Sequence, residues 1–164
     1  MPDLLQPGPI LVQRQAISGG EIYSFTYADQ PLCEVRRAGN GWKFWVTACQ
    51  ITYGDRRWRT QAAMSASEAT LLDEQQQPLA VDRYSGAEHR IQIGDRAFTT
   101  AGTHDIETIH DQQGAVVIEN TWAFGQPMLK QSQLVAPLPP DVVVILLALT
   151  IQYGSQRGGD QIAN

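Results

Sequence analysis

Most of the signals by which a sequence declares its chemistry are missing from these 164 residues. There is no nucleophile elbow, phosphate-binding loop or paired-histidine zinc helix, so no catalytic residue can be named, and the chain leans away from being an enzyme. Carboxylates are scattered over turns, where Asp has a structural reason to be, because it can bond its own backbone. Cysteine is scarce. Cys33 and Cys49 are the only two, which excludes a fold stapled by several disulfides; in a reducing compartment both are expected as small buried apolar thiols. The N-terminus, "MPDLLQPGPI", lacks a cationic stretch leading into an apolar run, and no small-residue cleavage site follows, so a cytoplasmic location is expected.

Positive charge is also in short supply. Twelve Lys and Arg against 17 Asp and Glu leave a net charge of -5, with a pI near 5.1. That balance argues against nucleic acid as a partner and against broad electrostatic binding to anionic lipid. Histidine is sparse too. In "THDIETIHD" a strand would put His104 and His110 on one face but roughly 20 Å apart, too far to share a metal, and His89 stands alone. No metal or other cofactor is implied.

What is present is a globular composition, 43% hydrophobic and 18% charged, long enough for one domain with a proper core. Up to about residue 130 the pattern is one of short strands bounded by Gly, Pro, Asp and Asn. "EIYSFTY" sets Tyr23, Phe25 and Tyr27 on one face against Ser24 and Thr26 on the other, the period of two that marks a half-buried strand. "WKFWVTACQITY" alternates likewise, and "LCEVRR", "LAVDRY", "HRIQI", "RAFTT", "DIETI", "AVVIEN" and "MLKQSQLV" are further strand candidates. About ten such strands at this spacing predict a barrel or sandwich. "FTYADQPLCEV", "TLLDEQQQPLAV" and "ETIHDQQGAVVI" each read as a hairpin with an Asp-led turn, which favours a meander. "SASEATLLDEQQQ" stays open between a strand and a short helix capped by Ser65 and Glu68.

The one long apolar stretch is Val142–Ile151, "VVVILLALTI". It falls short of the roughly 20 residues needed to span a bilayer, with Pro137, Pro139, Pro140 and Asp141 before it and Gln152, Gly154 and Arg157 after it. No integral membrane segment is expected. Asp141 as N-cap and Gly154 as a stop predict a helix over 141–153. A helix apolar all round must be surrounded by protein, and in a β chain the inside of a closed barrel is the natural place. The predicted organisation is a flexible N-terminus at 1–8, one domain at 9–154 and a flexible tail at 155–164. The predicted fold is mainly β, a closed antiparallel barrel of about 10–12 short strands around a buried hydrophobic C-terminal helix.

On "IHDQQGAVV" and "LPPDVVVILLALTIQYG" the chain resembles the tubby C-terminal-like superfamily, which includes LURP-one-related proteins and phospholipid scramblases. The resemblance covers about residues 9 to 154 and implies a non-catalytic domain that binds a protein partner or a membrane-surface phospholipid headgroup on its outer face. The densest positive cluster, Arg56, Arg57 and Arg59 in "YGDRRWRTQ", is the candidate anion or headgroup site, with Arg36 and Arg37 near it if the strands pair. The competing reading of that cluster is a solvated strand face partnered by Asp55. An alternative for the whole chain is a lipocalin-like carrier of a small apolar ligand inside the barrel. Lipocalins begin with Gly-x-Trp where this chain has "GNGW", and their C-terminal helix packs outside with a polar face that Val142–Ile151 lacks.

Overall fold

A computed structural model describes residues 3–39, 47–62, 67–85, 88–103, 105–123 and 128–163, with 155–163 as helical backbone only. The chain runs as β1 (Gly8–Ile17), β2 (Gly20–Tyr27), β3 (Gln30–Gly39), β4 (Thr47–Tyr53), β5 (Arg56–Ala62), β6 (Glu68–Leu72), β7 (Pro78–Ser85), β8 (Glu88–Ile93), β9 (Arg96–Gly102), β10 (Ile106–His110), β11 (Val116–Trp122), β12 (Leu129–Leu134) and α1 (Pro140–Ala163). Each strand pairs antiparallel with its neighbours in sequence, and β1 closes on β12 with Gly8 opposite Leu134, so the sheet is a twelve-strand meander barrel. Closure removes every free sheet edge. The predicted fold class is the observed one.

The strands form because their side chains alternate. β8 is the clearest case: His89, Ile91 and Ile93 point inward and are buried, while Glu88, Arg90 and Gln92 point into solvent. The segment left open between helix and strand is β6, paired with β5 and β7; Ser65 and the aromatic residues Trp42, Phe44 and Trp45 lie outside the described residues. Two of the three Asp-led hairpins share one turn. Asp73 Oδ1 accepts the amides of Gln75 and Gln77, and Asp111 Oδ1 accepts those of Gln113 and Ala115, all at 2.9 Å. Gln76 and Gly114 take the matching left-handed position at φ of 63° and 83°. The third hairpin, β2–β3, instead turns through Ala28 and Asp29, both at positive φ, as a two-residue connection of the type that follows strand twist.

Twelve strands at about 4.8 Å spacing and typical tilt enclose a cylinder roughly 23 Å across. Strand side chains alone leave its axis empty, and a helix about 10–12 Å wide with its own side chains fits. α1 occupies that axis. Every residue from Val142 to Gly154 is buried, and side chains on β3, β5, β8, β10 and β11 meet the helix from different sides. Around its first two turns the barrel is apolar, with Ile10, Phe25, Val35, Ile51, Trp58, Leu71, Ile91, Phe98, Ile109, Ile118 and Leu134 forming one core with Val143–Leu149. Among the described residues no helix is long and apolar enough to cross a membrane.

Three boundaries differ from the sequence reading. The N-terminal segment is tied down, since Leu5 exchanges backbone hydrogen bonds of 2.8 and 3.2 Å with Leu138 and Gly8 already belongs to β1. The helix begins at Pro140, whose fixed φ and missing N–H suit the first helical position. Asp141 therefore lies in the first turn, where its carboxylate favours the positive end of the helix dipole and accepts Tyr53 Oη at 2.9 Å and Arg56 Nη1 at 3.1 Å.

The third concerns Gly154, which does not stop the helix: α1 continues to Ala163. Glycine is needed there for packing, because a Cβ would lie 2.5 Å from Trp122 Cη2 and 2.9 Å from Cζ3. Gly154→Ala gains about 1 kcal/mol in helix propensity but forces a methyl into a buried indole, at a cost of about 1–3 kcal/mol. We expect a net lowering of the melting temperature by roughly 2–6 °C in thermal denaturation followed by circular dichroism. A rise would show that the helix end is loosely packed.

Candidate functional site

Two places in the barrel gather polar side chains, one inside and one outside. The inner one is a tier level with the last buried turns of α1. In-register pairing lays its members side by side: Glu21 opposite Arg37, Arg37 opposite Cys49, Glu107 opposite Asn120, and Asn120 opposite Ser132. Arg37 bonds Glu21, which also takes Arg14, and donates to the Ile151 carbonyl of the helix at 2.9 Å. Thr60 links the Cys49 amide to Gln152. Across the barrel, His89 Nδ1 stands 2.9 Å from Asp82, and its ring lies 4.0 Å from that of Tyr153. Tyr153 donates in turn to Glu107 at 2.6 Å. Ser132 donates to Asn120, whose amide reaches toward Glu107 and Thr150. This tier is a hydrogen-bonded match between the polar turns of the helix, Thr150, Gln152 and Tyr153, and the wall around them; its strand members other than Arg14 are below a tenth exposed.

Burial governs the titration of this interior. Desolvation raises the Tyr153 phenol well above its ordinary 10.0, and the nearby Glu107 carboxylate adds to the shift. Burial also raises Tyr23, and it lifts Tyr53 to about 12, helped by its bond to Asp141. The Cys49 thiol is pushed up to about 12 by burial, with Arg37 and Thr60 offsetting part of the effect, and Cys33 is raised by burial as well. Both thiols are free and buried, which makes them inert. A group whose folded pKa is raised contributes stability that is complete below its unfolded value and is lost as pH climbs toward the folded one. Stability should therefore hold up to about pH 9 and fall between about pH 9 and 12. Melts across that range, read beside tyrosine absorbance at 295 nm, test this. Ionisation of all the phenols near pH 10 in the folded protein would contradict it.

The outer place is the flank of β3, β4 and β5. Strand alternation turns Arg57 and Arg59 outward on β5 and Trp58 inward. Pairing sets Arg36 opposite Gln50 and Gln50 opposite Arg59, so Arg36 and Arg59 lie in one row two strands apart, about 10 Å at ordinary strand spacing. Arg37, the next residue along β3, points the other way and is buried in the tier. Arg56 leaves the cluster, since it sits at the barrel rim and pairs with Asp141. The structure thus splits the sequence's Arg56, Arg57 and Arg59 and brings Arg36 to the last two. No carboxylate among the described residues pairs with Arg36, Arg57 or Arg59, in contrast to the ion-paired Arg14, Arg37, Arg56, Arg83 and Arg90. Asp55, the partner considered from the sequence, is not one of theirs.

The turn after β6 curls against this face and encloses a groove of about 370 Å³ whose lining includes Arg57, Arg59, Asp73, Glu74 and Gln76. Among the described residues Arg57 uses only Nη1, on the carbonyls of Gly54 and Arg56, and Arg59 bonds the Gln76 side-chain oxygen. Sequence reasoning missed Asp73 and Glu74 because they reach the arginines only through the β5–β6 register. It also missed the Asp82–His89 pair, two interior positions on adjacent strands. His110 serves its own hairpin through Thr108 and the Gly114 carbonyl, and His104 lies outside the described residues. Among the described residues no three His, Cys, Asp or Glu side chains stand together as metal ligands.

No protein-family model matches the chain, and no curated protein matches it. A protein from Arabidopsis thaliana solved by X-ray crystallography is similar to it at 9% identity, covering 92% of this chain and 93% of that one, with a TM-score of 0.40. Nothing about activity follows from a likeness at that level.

Proposed function

We propose that this chain is a non-catalytic domain of the tubby-like, LURP-one-related kind that binds a protein partner or a lipid headgroup on its outer surface, in the cytoplasm. The observation that supports this reading is the occupied interior: Val142 to Gly154 fill the barrel axis and are buried throughout. A carrier of the lipocalin type needs that space for its ligand. Binding is left to the outer wall, where Arg36, Arg57 and Arg59 present guanidinium donors with no ion pair among the described residues, suited to carboxylate or phosphate oxygens.

The test has two arms. Titration of the folded protein with a fluorescent fatty acid should show no saturable one-to-one site, and such a site would overturn the outer-surface reading in favour of a carrier. Partner or liposome binding should survive Ile106→Ser on β10, across the barrel, and be lost in R36A/R57A/R59A, whose melt should stay close to the parent's. Arg56→Ala should matter less to binding, because that side chain is engaged with Asp141.

A further inference from the structure

We propose that the groove between the outer face of β4–β5 and the β6–β7 turn is a docking site for an extended peptide segment of mixed charge, an acidic side chain meeting Arg57 and Arg59 and a basic one meeting Glu74 and Asp73. This rests on the outer-surface reading and names the class of partner for it. The groove holds about 370 Å³, within the range of small-ligand and short-segment sites. Its two sides carry opposite charges in equal number, Arg57 and Arg59 on the strand and Asp73 and Glu74 on the turn. Among the described residues both arginines keep donors unused, because Arg57 commits one nitrogen to backbone carbonyls and Arg59 one to Gln76. Asp73 spends one carboxylate oxygen on its turn, and Glu74 makes no side-chain hydrogen bond among the described residues.

Charge arrangement decides between partner classes. The four groove charges sum to zero, and among the described residues of the same flank Glu34 and Asp55 offset Arg36 and Arg56, the latter already paired with Asp141. At the separations that matter for a charged plane, about a Debye length of 8–10 Å, an acidic membrane meets no net attraction here. Among the described residues, the exposed large apolar side chains that could enter a bilayer, Leu4, Leu11, Ile106 and Val135, belong to the N-terminal segment, β1, β10 and the residue after β12, away from this face. A discrete chain with opposite charges on nearby residues gains contacts on both sides of the groove, and pairing each charge with its opposite sets register and rejects wrong partners. The Gln76 and Gln50 amides flank the groove with donors and acceptors suited to a peptide backbone.

The experiment uses the full chain and labelled, capped hexapeptides of Ala and Ser. One set carries a Glu and a Lys at separations of one to four residues, and two sets carry two Glu or two Lys. Fluorescence anisotropy at low salt is the readout, with phosphatidylserine vesicles in parallel. The expected result is that the best mixed-charge peptide binds at least tenfold tighter than either like-charge set, loses at least tenfold in R57A/R59A and in E74K, and weakens in 0.5 M salt. Tighter binding of the two-Glu peptides or of the vesicles, lost in R57A/R59A, overturns the mixed-charge partner while leaving the outer-surface reading standing. Mixed-charge binding indifferent to R57A/R59A overturns the site itself, as does the absence of any peptide binding at millimolar concentration. Melts of R57A/R59A and E74K that match the parent exclude misfolding as the cause.

Discussion

Leu146→Asp should leave the chain unfolded or insoluble. Leu146 is fully buried in the second turn of α1, between Ile145 and Leu147, which are buried as well. Removing the leucine volume costs about 2–5 kcal/mol, and an unpaired carboxylate in an apolar surround costs several more. The sum rivals the whole stability of a typical domain, about 5–15 kcal/mol. Deleting residues 141–164 should be as damaging, because among the described residues a barrel roughly 23 Å across has no other element to fill its axis. Soluble expression and a far-ultraviolet melt decide the matter. A truncated chain that melts cooperatively near the parent temperature would mean the barrel stands without its helix.

Arg37→Ala is the second large effect. Burial pulls the Arg37 pKa below its ordinary value, a sign that desolvation opposes this charge. The guanidinium persists inside because Glu21 and the Ile151 carbonyl take its donors. Truncating one partner of a buried pair typically costs about 3–5 kcal/mol, since the other is left without compensation. Arg14 still reaches Glu21, so we expect about 3 kcal/mol and a melting temperature lower by roughly 6–12 °C. Replacing both, as Glu21→Leu with Arg37→Met, should recover much of the loss, because an apolar pair of similar volume avoids the desolvation of two charges. The double-mutant cycle should show a coupling of at least 1 kcal/mol or so. Additive effects would mean that Arg37 acts through the helix carbonyl alone.

The tier explains why these costs are tolerated. An all-apolar helix in an apolar tube has little to fix its depth or rotation, whereas Thr150, Gln152 and Tyr153 each meet a particular wall residue: Asn120, Thr60 and Glu107. Sliding the helix by one turn, 5.4 Å, would leave these groups buried without partners. The polar tier therefore sets the register of the plug, and the apolar tier supplies most of its stability.

The sequence by itself determined the closed β-barrel class, most of the strands and the burial of α1, while β1 and β5 were not among its strand candidates and β6 was left open. Alternation with a period of two, Asp-led turns and an apolar run too short for a bilayer are local patterns, and local sterics and solvation act on them directly. It also marked the arginine-rich stretch, since a cluster within four positions needs no fold to be seen. Only the tertiary structure decided what lies beside what. Ile106 faces solvent while Glu107 is buried, the reverse of their hydropathy, because register puts Glu107 against Asn120 and within reach of Tyr153. Gly154 reads locally as a stop, yet it serves a contact with Trp122 on a strand more than 30 positions earlier. Arg56 is drawn from its neighbours by Asp141, 85 positions on, and Arg36 joins them through Gln50. Pairing partners, interior polar matches and shared grooves are set by the register of a closed sheet, in which a shift of one residue exchanges inside for outside, and no window of the sequence contains that information.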